Sequence, residues 1–316
     1  MKDNRQKLTA LIPAGIAGDE KIIARCIKSV AWADEVFVVL DSKSRDNTEK
    51  IAKEMGARVL RHEYVYSAKQ KNWAIPRAKN DWVLLVDSDE VVTPELKKEI
   101  LSLLKSEEIN HYDGFGIARR EYFLDKWLRW GGRYPLYNIR LFRKSCRYED
   151  RDVHAHIILP KEKTKNLNND ILHFSNPTLD HFFEKFNRYT TYQSNYMLKF
   201  SQREKESMEF KKIFTHYIYL KSLIKDYWYF LPFVPVLRFV YMYILRLGFL
   251  DGRMGFLYAM LYTFQDYVAK TKYLQLAGRK PRFRFLVQSM VKTMIPQDRN
   301  NRPIIDRVDP GEVGKS

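Results

Sequence analysis

The first hundred residues alternate between two hydrophobic periods, and this alternation constrains the fold more than any other feature of the sequence. Apolar runs typical of strands lie at residues 8–12, 35–40 and 82–86, with a shorter run at 58–60. Between these runs, apolar residues recur at the three- and four-residue spacing of helices. Parallel strands need a crossover, which is usually a helix. The sequence therefore predicts an α/β fold with a mostly parallel sheet and helices on both faces.

Acidic residues follow two of these predicted strands. Asp41 follows the run at 35–40, and Asp87 and Asp89 follow the run at 82–86. Ligands of open α/β sheets bind outside the carboxyl ends of the strands. Two carboxylates one residue apart can hold a hard divalent cation that bridges to phosphate oxygens. The pattern predicts a phosphate-binding edge, although the same residues also suit ordinary turns and an acidic loop that caps the next helix.

Two lysines lie near the beginning of a helix predicted from Ser67 to Ile75. They are Lys69 and Lys71. The N-terminus of a helix favours a bound anion, and lysines there add positive charge. This arrangement predicts an anion site, and the alternative is a basic helix face that contacts only solvent.

From residue 114 the alternation with helices stops. Short strands rich in aromatic and basic residues are predicted at 114–119, 138–142 and 154–159. We interpret them as a mixed extension of the first sheet rather than a new domain. A helix is then predicted from Thr178 to about Phe200.

The C-terminal part of the chain is basic and aromatic. The chain has 55 Lys and Arg against 38 Asp and Glu, a net charge of +17, and most of the excess lies after residue 180. Apolar stretches within 216–270 are interrupted by proline and arginine, whereas a membrane-spanning helix needs about 20 apolar residues. Aromatic rings interspersed with basic side chains suit amphipathic helices that lie in the lipid headgroup layer. We predict a domain at 1–177 and a helical, membrane-interfacial region at 178–316; the alternative is a helical subdomain with an aromatic core.

The cysteines and the N-terminus indicate a compartment. Cys26 and Cys146 lie far apart in a large chain, so a reducing compartment is expected. The first apolar stretch is short and broken at Pro13, which makes a poor signal peptide. We expect the protein at the cytoplasmic face of the inner or plasma membrane, as a peripheral or monotopic protein that binds its anionic surface.

In their order and spacing these segments resemble the family-2 glycosyltransferases. Those are bacterial enzymes of the GT-A fold that transfer a sugar from a nucleotide sugar with inversion. The resemblance is strongest to the branch of lipopolysaccharide-core glucosyltransferases and related polysaccharide enzymes. It rests on five segments: residues 29–35, 41–48, 69–72, 82–90 and 137–143. A further segment, 246–253, recurs in the membrane-associated members of that branch.

The resemblance implies roles for individual residues. It implies a UDP-sugar donor, with the uridine near Pro13, Glu20 and Asp41, and with Lys71 near the diphosphate. It also implies Mg²⁺ or Mn²⁺ bound by Asp89 with help from Asp87. His173 resembles a histidine that can complete the metal or diphosphate site.

Position 155 departs from the family pattern. The family usually has Val-His-Glu where residues 153–155 read Val-His-Ala, and that glutamate is the expected general base. An inverting transfer needs a carboxylate to take the proton of the acceptor hydroxyl, and Ala155 has none. Three explanations stay open: a glutamate replaced at this position, a base relocated to Asp152, Asp150 or Glu149, or a binding-only pseudoenzyme.

The function implied is transfer of a sugar to a lipid-linked or lipopolysaccharide-core acceptor in cell-surface polysaccharide synthesis. A sugar-phosphate nucleotidyltransferase is the weaker enzyme alternative, because residues 14–19 contain two glycines and no following Arg-Lys pair. A basic nucleic-acid-binding protein has only net charge in its favour. We therefore expect no nucleic-acid partner.

Overall fold

The computed structural model describes residues 5–15, 19–150, 155–206 and 233–278, with the backbone alone for 202–206. The strands are β1 (Leu8–Ala14), β2 (Glu35–Asp41), β3 (Arg58–His62), β4 (Trp82–Leu85), β5 (Glu90–Val92), β6 (Gly114–Phe123), β7 (Lys126–Trp127), β8 (Tyr137–Arg143) and β9 (Thr164–Asn176). The α-helices are α1 (Ile23–Val30), α2 (Thr48–Glu54), α3 (Ser67–Ala74), α4 (Pro94–Leu103), α5 (Leu179–Glu206), α6 (Val234–Phe239) and α7 (Gly252–Leu276). A π-helix (Val240–Leu245) and a 3-10 helix (Gly248–Asp251) lie between α6 and α7.

The strands form one mixed sheet in the order β3-β2-β1-β4-β8-β6-β9-β5, with β7 paired to β6. The predicted α/β fold is confirmed. The prediction of a mostly parallel sheet holds for β1 to β4, which are parallel to one another. Beyond β4 the sheet is mixed, which confirms the predicted mixed extension: β8 is antiparallel to both β4 and β6, β5 is antiparallel to β9, and β6 is parallel to β9. No α-helix separates β6 from β8, so the chain returns directly and the pairing is antiparallel.

Helices cover both faces of the sheet, as predicted. Alternate residues of β1 point to opposite faces, since the side-chain period of a strand is two. Ala10 and Ile12 pack with residues of α1, α2 and α4 in one buried cluster. Leu11 packs on the other face with Phe37 and with Ala74 of α3. The central strands β1, β2 and β4 are therefore buried on both faces.

The predictions after residue 114 have a mixed outcome. Those at 114–119 and 138–142 lie within β6 and β8. The strand predicted at 154–159 is wrong for its described residues, which make a single bridge between Ile157 and Tyr148. The strand forms later, as the 13-residue β9. Parallel pairing with β6 stabilises β9 despite its asparagine-rich first half.

Contacts divide the chain into two compact units. One comprises residues 1–188 and 232–265, and the other comprises 189–231 and 266–316. The first unit contains the sheet, and its aromatic cluster includes the buried Phe123, Phe182 and Tyr258. The boundary expected at residue 177 stays a prediction. Among the helices that the structure describes, none combines the length and the apolar character needed to cross a membrane.

Candidate active site

Asp87 lies two residues after the end of β4, between two buried cations. Its Oδ2 accepts a hydrogen bond from an Nη of Arg140 at 2.7 Å, and its Oδ1 lies 3.2 Å from Nζ of Lys71. Burial by itself would raise the pKa of Asp87, but Arg140 and Lys71 hold it well below its usual range. Lys71, which the resemblance places near the diphosphate, thus lies beside the acidic turn after β4. Arg140, on β8, was part of a recognised segment without a predicted role.

Arg140 also binds a second acid. Its guanidinium donates to Glu90, whose side chain is fully buried, and Glu90 Oε2 accepts from the backbone N–H of Asp87 at 2.9 Å. Burial raises the pKa of Glu90. The turn between β4 and β5 is therefore tied at both ends to one arginine on a neighbouring strand. Such a turn holds Asp87 and Asp89 in fixed directions.

Asp89 faces His173. The Nε2 of His173 lies 3.4 Å from Asp89 Oδ2, and its Nδ1 lies 2.9 Å from Glu121 Oε2. Strand pairing brings these acids to the histidine, because His173 on β9 pairs with Glu90 of β5 on one side and with Glu121 of β6 on the other. Burial would lower the pKa of His173, but Asp89 and Glu121 raise it to about 9. His173, which resembles a histidine that can complete the metal or diphosphate site, thus lies beside Asp89, and its role stays a prediction.

A lysine of α5 completes the surroundings of Asp89. Lys185 Nζ lies 3.3 Å from Asp89 Oδ2 and donates to the backbone oxygen of Ser175 at 2.8 Å. Although burial opposes ionisation of Asp89, His173 and Lys185 hold the pKa of Asp89 far below its usual range. Lys185 was not predicted. It lies 96 residues from Asp89 in the sequence, and no local pattern marks it.

Asp89 and His173 are the candidate ligands for a divalent cation. In the part of the chain that the structure describes, no cluster of three or more His, Cys, Asp or Glu side chains could hold a metal ion. Asp89 Oδ2 and His173 Nε2 nevertheless face each other at 3.4 Å. Magnesium is commonly bound by one or two protein ligands, with water and substrate phosphates in the other positions. The two residues therefore fit a metal that is shared with a diphosphate, and not a metal held by protein alone.

The residues expected near the uridine are held by backbone groups. Asp41 Oδ1 accepts from the N–H groups of Lys43 and Tyr64 at 3.2 and 3.1 Å. Gly15 has φ +116°, and a Cβ at this position would lie 2.4 Å from the Cβ of Asp41. Only glycine allows the end of β1, just past Pro13, to approach Asp41 this closely. Glu20 accepts two hydrogen bonds from Asn47 ahead of α2, at 3.0 and 3.1 Å.

Ala155 lines a cavity of about 160 Å³. The other lining residues are Gly116, Tyr137, Asn138, Ile139, Tyr148, His156, Ile157 and Asn166. Lys71 Nζ lies 5.4 Å from the ring centre of Tyr148. The cavity therefore adjoins one of the two cations that pair with Asp87.

The structure describes two of the three candidate residues for a relocated base. Asp152 and His154 lie outside the described residues. Asp150 accepts a hydrogen bond from the hydroxyl of Tyr66. The backbone N–H of Glu149 donates to the backbone oxygen of His156 at 2.9 Å, which ties this segment to the residue after Ala155.

Comparisons with known proteins give one family match and several similar proteins. The sequence matches the family described as Glycosyl transferase family 2 over residues 9–166, half of the chain. An uncharacterized glycosyltransferase of Rickettsia typhi is 26% identical over 279 residues, which cover 83% of this chain and 86% of the relative. Staphylococcus aureus TarS in complex with UDP has a TM-score of 0.38 and 15% identity, with 83% of this chain and 91% of that chain covered. Glucosyl-3-phosphoglycerate synthase from Mycobacterium tuberculosis, in complex with Mn²⁺, UDP-glucose and phosphoglyceric acid, has a TM-score of 0.31 and 22% identity, with 36% and 44% covered.

Proposed function

Since the chain belongs to glycosyl transferase family 2 and is a glycosyltransferase, we propose that its donor is a UDP-sugar and its acceptor a lipid-linked or lipopolysaccharide-core saccharide. The observation that carries the donor proposal is the placement of Asp87 and Asp89 among four basic side chains at one sheet edge. An edge with this charge distribution suits a diphosphate that is bound by Lys71 and Arg140 and by a metal ion that it shares with the protein. It suits a neutral ligand poorly, because the charged groups would lose hydration without gaining partners.

Lys71 and Arg140 would bind the diphosphate. Both are held in place by Asp87 before any ligand arrives, so little reorganisation is needed when negative charge develops on the leaving group. Arginine and lysine form charge-assisted hydrogen bonds with phosphate oxygens. Asp87 is thus proposed to orient the two cations.

Asp89 and His173 would hold Mg²⁺ or Mn²⁺. A bound divalent ion would stabilise the charge of the departing diphosphate as a Lewis acid. Lys185 now pairs with Asp89, and its long side chain can turn to a phosphate oxygen. The cavity beside Ala155 would take the acceptor hydroxyl or the transferred sugar.

A thermal-shift screen tests the donor. We expect UDP-sugars with Mn²⁺ or Mg²⁺ to raise the melting temperature more than GDP- or dTDP-sugars, because a ligand that binds only the folded state stabilises it. At 100 times its dissociation constant the gain is about 2.7 kcal/mol. Equal shifts for all nucleotides, or none with any of them, would contradict the proposed UDP-sugar donor.

We propose that the acceptor is reached at an anionic membrane surface, at the cytoplasmic face. Most apolar side chains within residues 236–250 are exposed, with Leu245 at 68%, although Met242 is buried. Helix α7 exposes Phe256, Met260 and Phe264, which lie four residues apart. Within 233–264 the charged residues are three arginines and the buried Asp251. Apolar side chains and arginine together suit the headgroup layer of a membrane that contains anionic lipids.

Vesicle binding tests the membrane proposal. We expect the protein to bind vesicles that contain phosphatidylglycerol, with binding that weakens as salt rises because exposed charges are screened. The double change Leu245→Glu and Leu250→Glu should reduce this binding strongly. Met55→Glu, at an exposed position just after α2 and outside residues 236–264, should not. Binding to RNA in place of vesicles, or an unchanged double variant, would argue against a membrane surface.

A further inference from the structure

The segment that follows β7 is held by the chain between the π-helix and α7. Asp251, which is buried, accepts hydrogen bonds from the backbone N–H groups of Arg129 and Trp130 at 3.2 and 2.9 Å. The Lys126 side chain donates to the backbone oxygen of Asp251 at 2.8 Å. The backbone N–H of Gly131 donates to the oxygen of Arg246 at 2.9 Å. These four contacts hold residues 126–131 in place. We call residues 126–134, which begin with β7 and end at Tyr134, the 126–134 loop.

Glycines allow the two backbones to approach. A Cβ on Gly248 would lie 2.6 Å from the backbone oxygen of Met242 and 3.4 Å from the Cα of Gly131. A Cβ on Gly255 would lie 2.1 Å from the backbone oxygen of Gly248. The two glycines therefore allow the chain from Met242 to Gly255 to fold tightly on itself, and Asp251 and the backbone oxygen of Arg246 in this segment hold the 126–134 loop.

The 126–134 loop delivers Arg133 to the acid behind His173. An Nη of Arg133 lies 3.6 Å from Glu121 Oε2, the oxygen that also faces His173 Nδ1. The guanidinium is enclosed by the rings of Tyr258 and Tyr262, at 5.2 and 5.5 Å from their centres. Burial would lower the pKa of Arg133, but the two tyrosines and Glu121 raise it, so it remains charged.

Glu121 is held in one orientation by several groups. Its Oε1 accepts from the hydroxyl of Ser175, and Arg119 lies 3.6 Å from Oε2 on the side of β6. A carboxylate held in a fixed direction in turn fixes the ring of the histidine it contacts, and such outer partners tune the affinity of metal-binding histidines.

We propose that Arg133 and Asp251 are positioning residues for the diphosphate site. Asp251 shapes the 126–134 loop, the loop directs Arg133 to Glu121, and Glu121 aims Nε2 of His173 at Asp89. Neither Arg133 nor Asp251 contacts the donor in this arrangement. The inference rests on the proposed function, because it assigns to His173 a role at the metal-bound diphosphate.

The test compares the affinity for UDP with Mn²⁺ and with EDTA by calorimetry on the full chain. For Arg133→Gln and Asp251→Asn we expect the gain in UDP affinity from Mn²⁺ to shrink, at most by the about 10- to 100-fold that loss of a direct partner of a metal ligand causes, because both residues act through Glu121. The affinity in EDTA should stay near that of the unchanged protein. Arg133→Lys keeps the charge and should restore part of the gain.

Arg129→Gln is the matched control. Arg129 lies on the same loop, but its exposed side chain contacts Trp127 and Trp130 and does not approach Glu121. Its Mn²⁺ gain should equal that of the unchanged protein. If Arg133→Gln and Asp251→Asn keep the full gain, or lose affinity equally in Mn²⁺ and EDTA, the positioning role is wrong. An unchanged protein whose UDP affinity ignores Mn²⁺ would overturn the proposed metal site itself, and the inference with it.

Discussion

Replacing Asp89 by asparagine should abolish the dependence of UDP binding on Mn²⁺ and lower sugar transfer by about 10²- to 10³-fold. Loss of one preorganised group that stabilises transition-state charge commonly has an effect of that size. The amide side chain would keep the volume and a hydrogen-bond acceptor for Lys185, but it would lose the charge that pairs with Lys185 and His173. Calorimetry in Mn²⁺ and in EDTA, together with a transfer assay, measures the two effects separately.

Asp113→Asn is a suitable control for this change. Asp113 pairs with Arg143 at 3.2 Å on a partly exposed surface, so its loss removes an acid without touching the donor site. Asp89→Ala is the less informative variant, because it also removes the side-chain volume and the hydrogen-bond acceptor for Lys185, which Asp89→Asn keeps. If Asp89→Asn retains Mn²⁺-dependent UDP binding, Asp89 is not a metal ligand.

The parts of the fold with strong local signals were predictable. Thr93 followed by Pro94 predicts a helix beginning, and Thr93 Oγ1 indeed accepts from the N–H of Leu96 at 3.1 Å. The apolar runs of β1, β2 and β4 are buried on both faces, so their composition alone distinguishes them. The strand β9 escaped prediction because its stability comes from pairing with β6, which lies about 50 residues earlier.

The site was predictable where its residues belong to the turn after β4 or to the beginning of α3. Asp87, Asp89 and Lys71 lie within short segments whose composition indicates a phosphate site. Glu121 and Lys185 contribute through tertiary pairings, so no local pattern marks their role. One signal was available: β6 is a strand that carries Arg119, Arg120 and Glu121 in succession, and charged residues in a strand usually have partners inside the protein.

Restoring a carboxylate by Ala155→Glu should raise sugar transfer by about 10²- to 10⁴-fold, the usual contribution of a positioned general base. Ala155 lines the cavity beside Tyr148, so a longer side chain at this position enters space next to the cations around Asp87. The expected base faces the acceptor hydroxyl and not the diphosphate, so the affinity for the nucleotide sugar should hardly change. Transfer to a lipid-linked acceptor and calorimetric UDP-sugar binding measure the two quantities.

Ala155→Gln and Asp152→Ala make the result specific. Glutamine has the size of glutamate but accepts no proton at neutral pH, so a gain with Ala155→Glu alone identifies base catalysis rather than improved packing. Robust transfer by the unchanged chain that is lost in Asp152→Ala and not improved by Ala155→Glu would show a relocated base. Because Asp150 already accepts a hydrogen bond from Tyr66, it is the weaker candidate for that role. Tight donor binding without transfer in every variant would instead indicate an untested acceptor or a chain that binds its donor without turning it over.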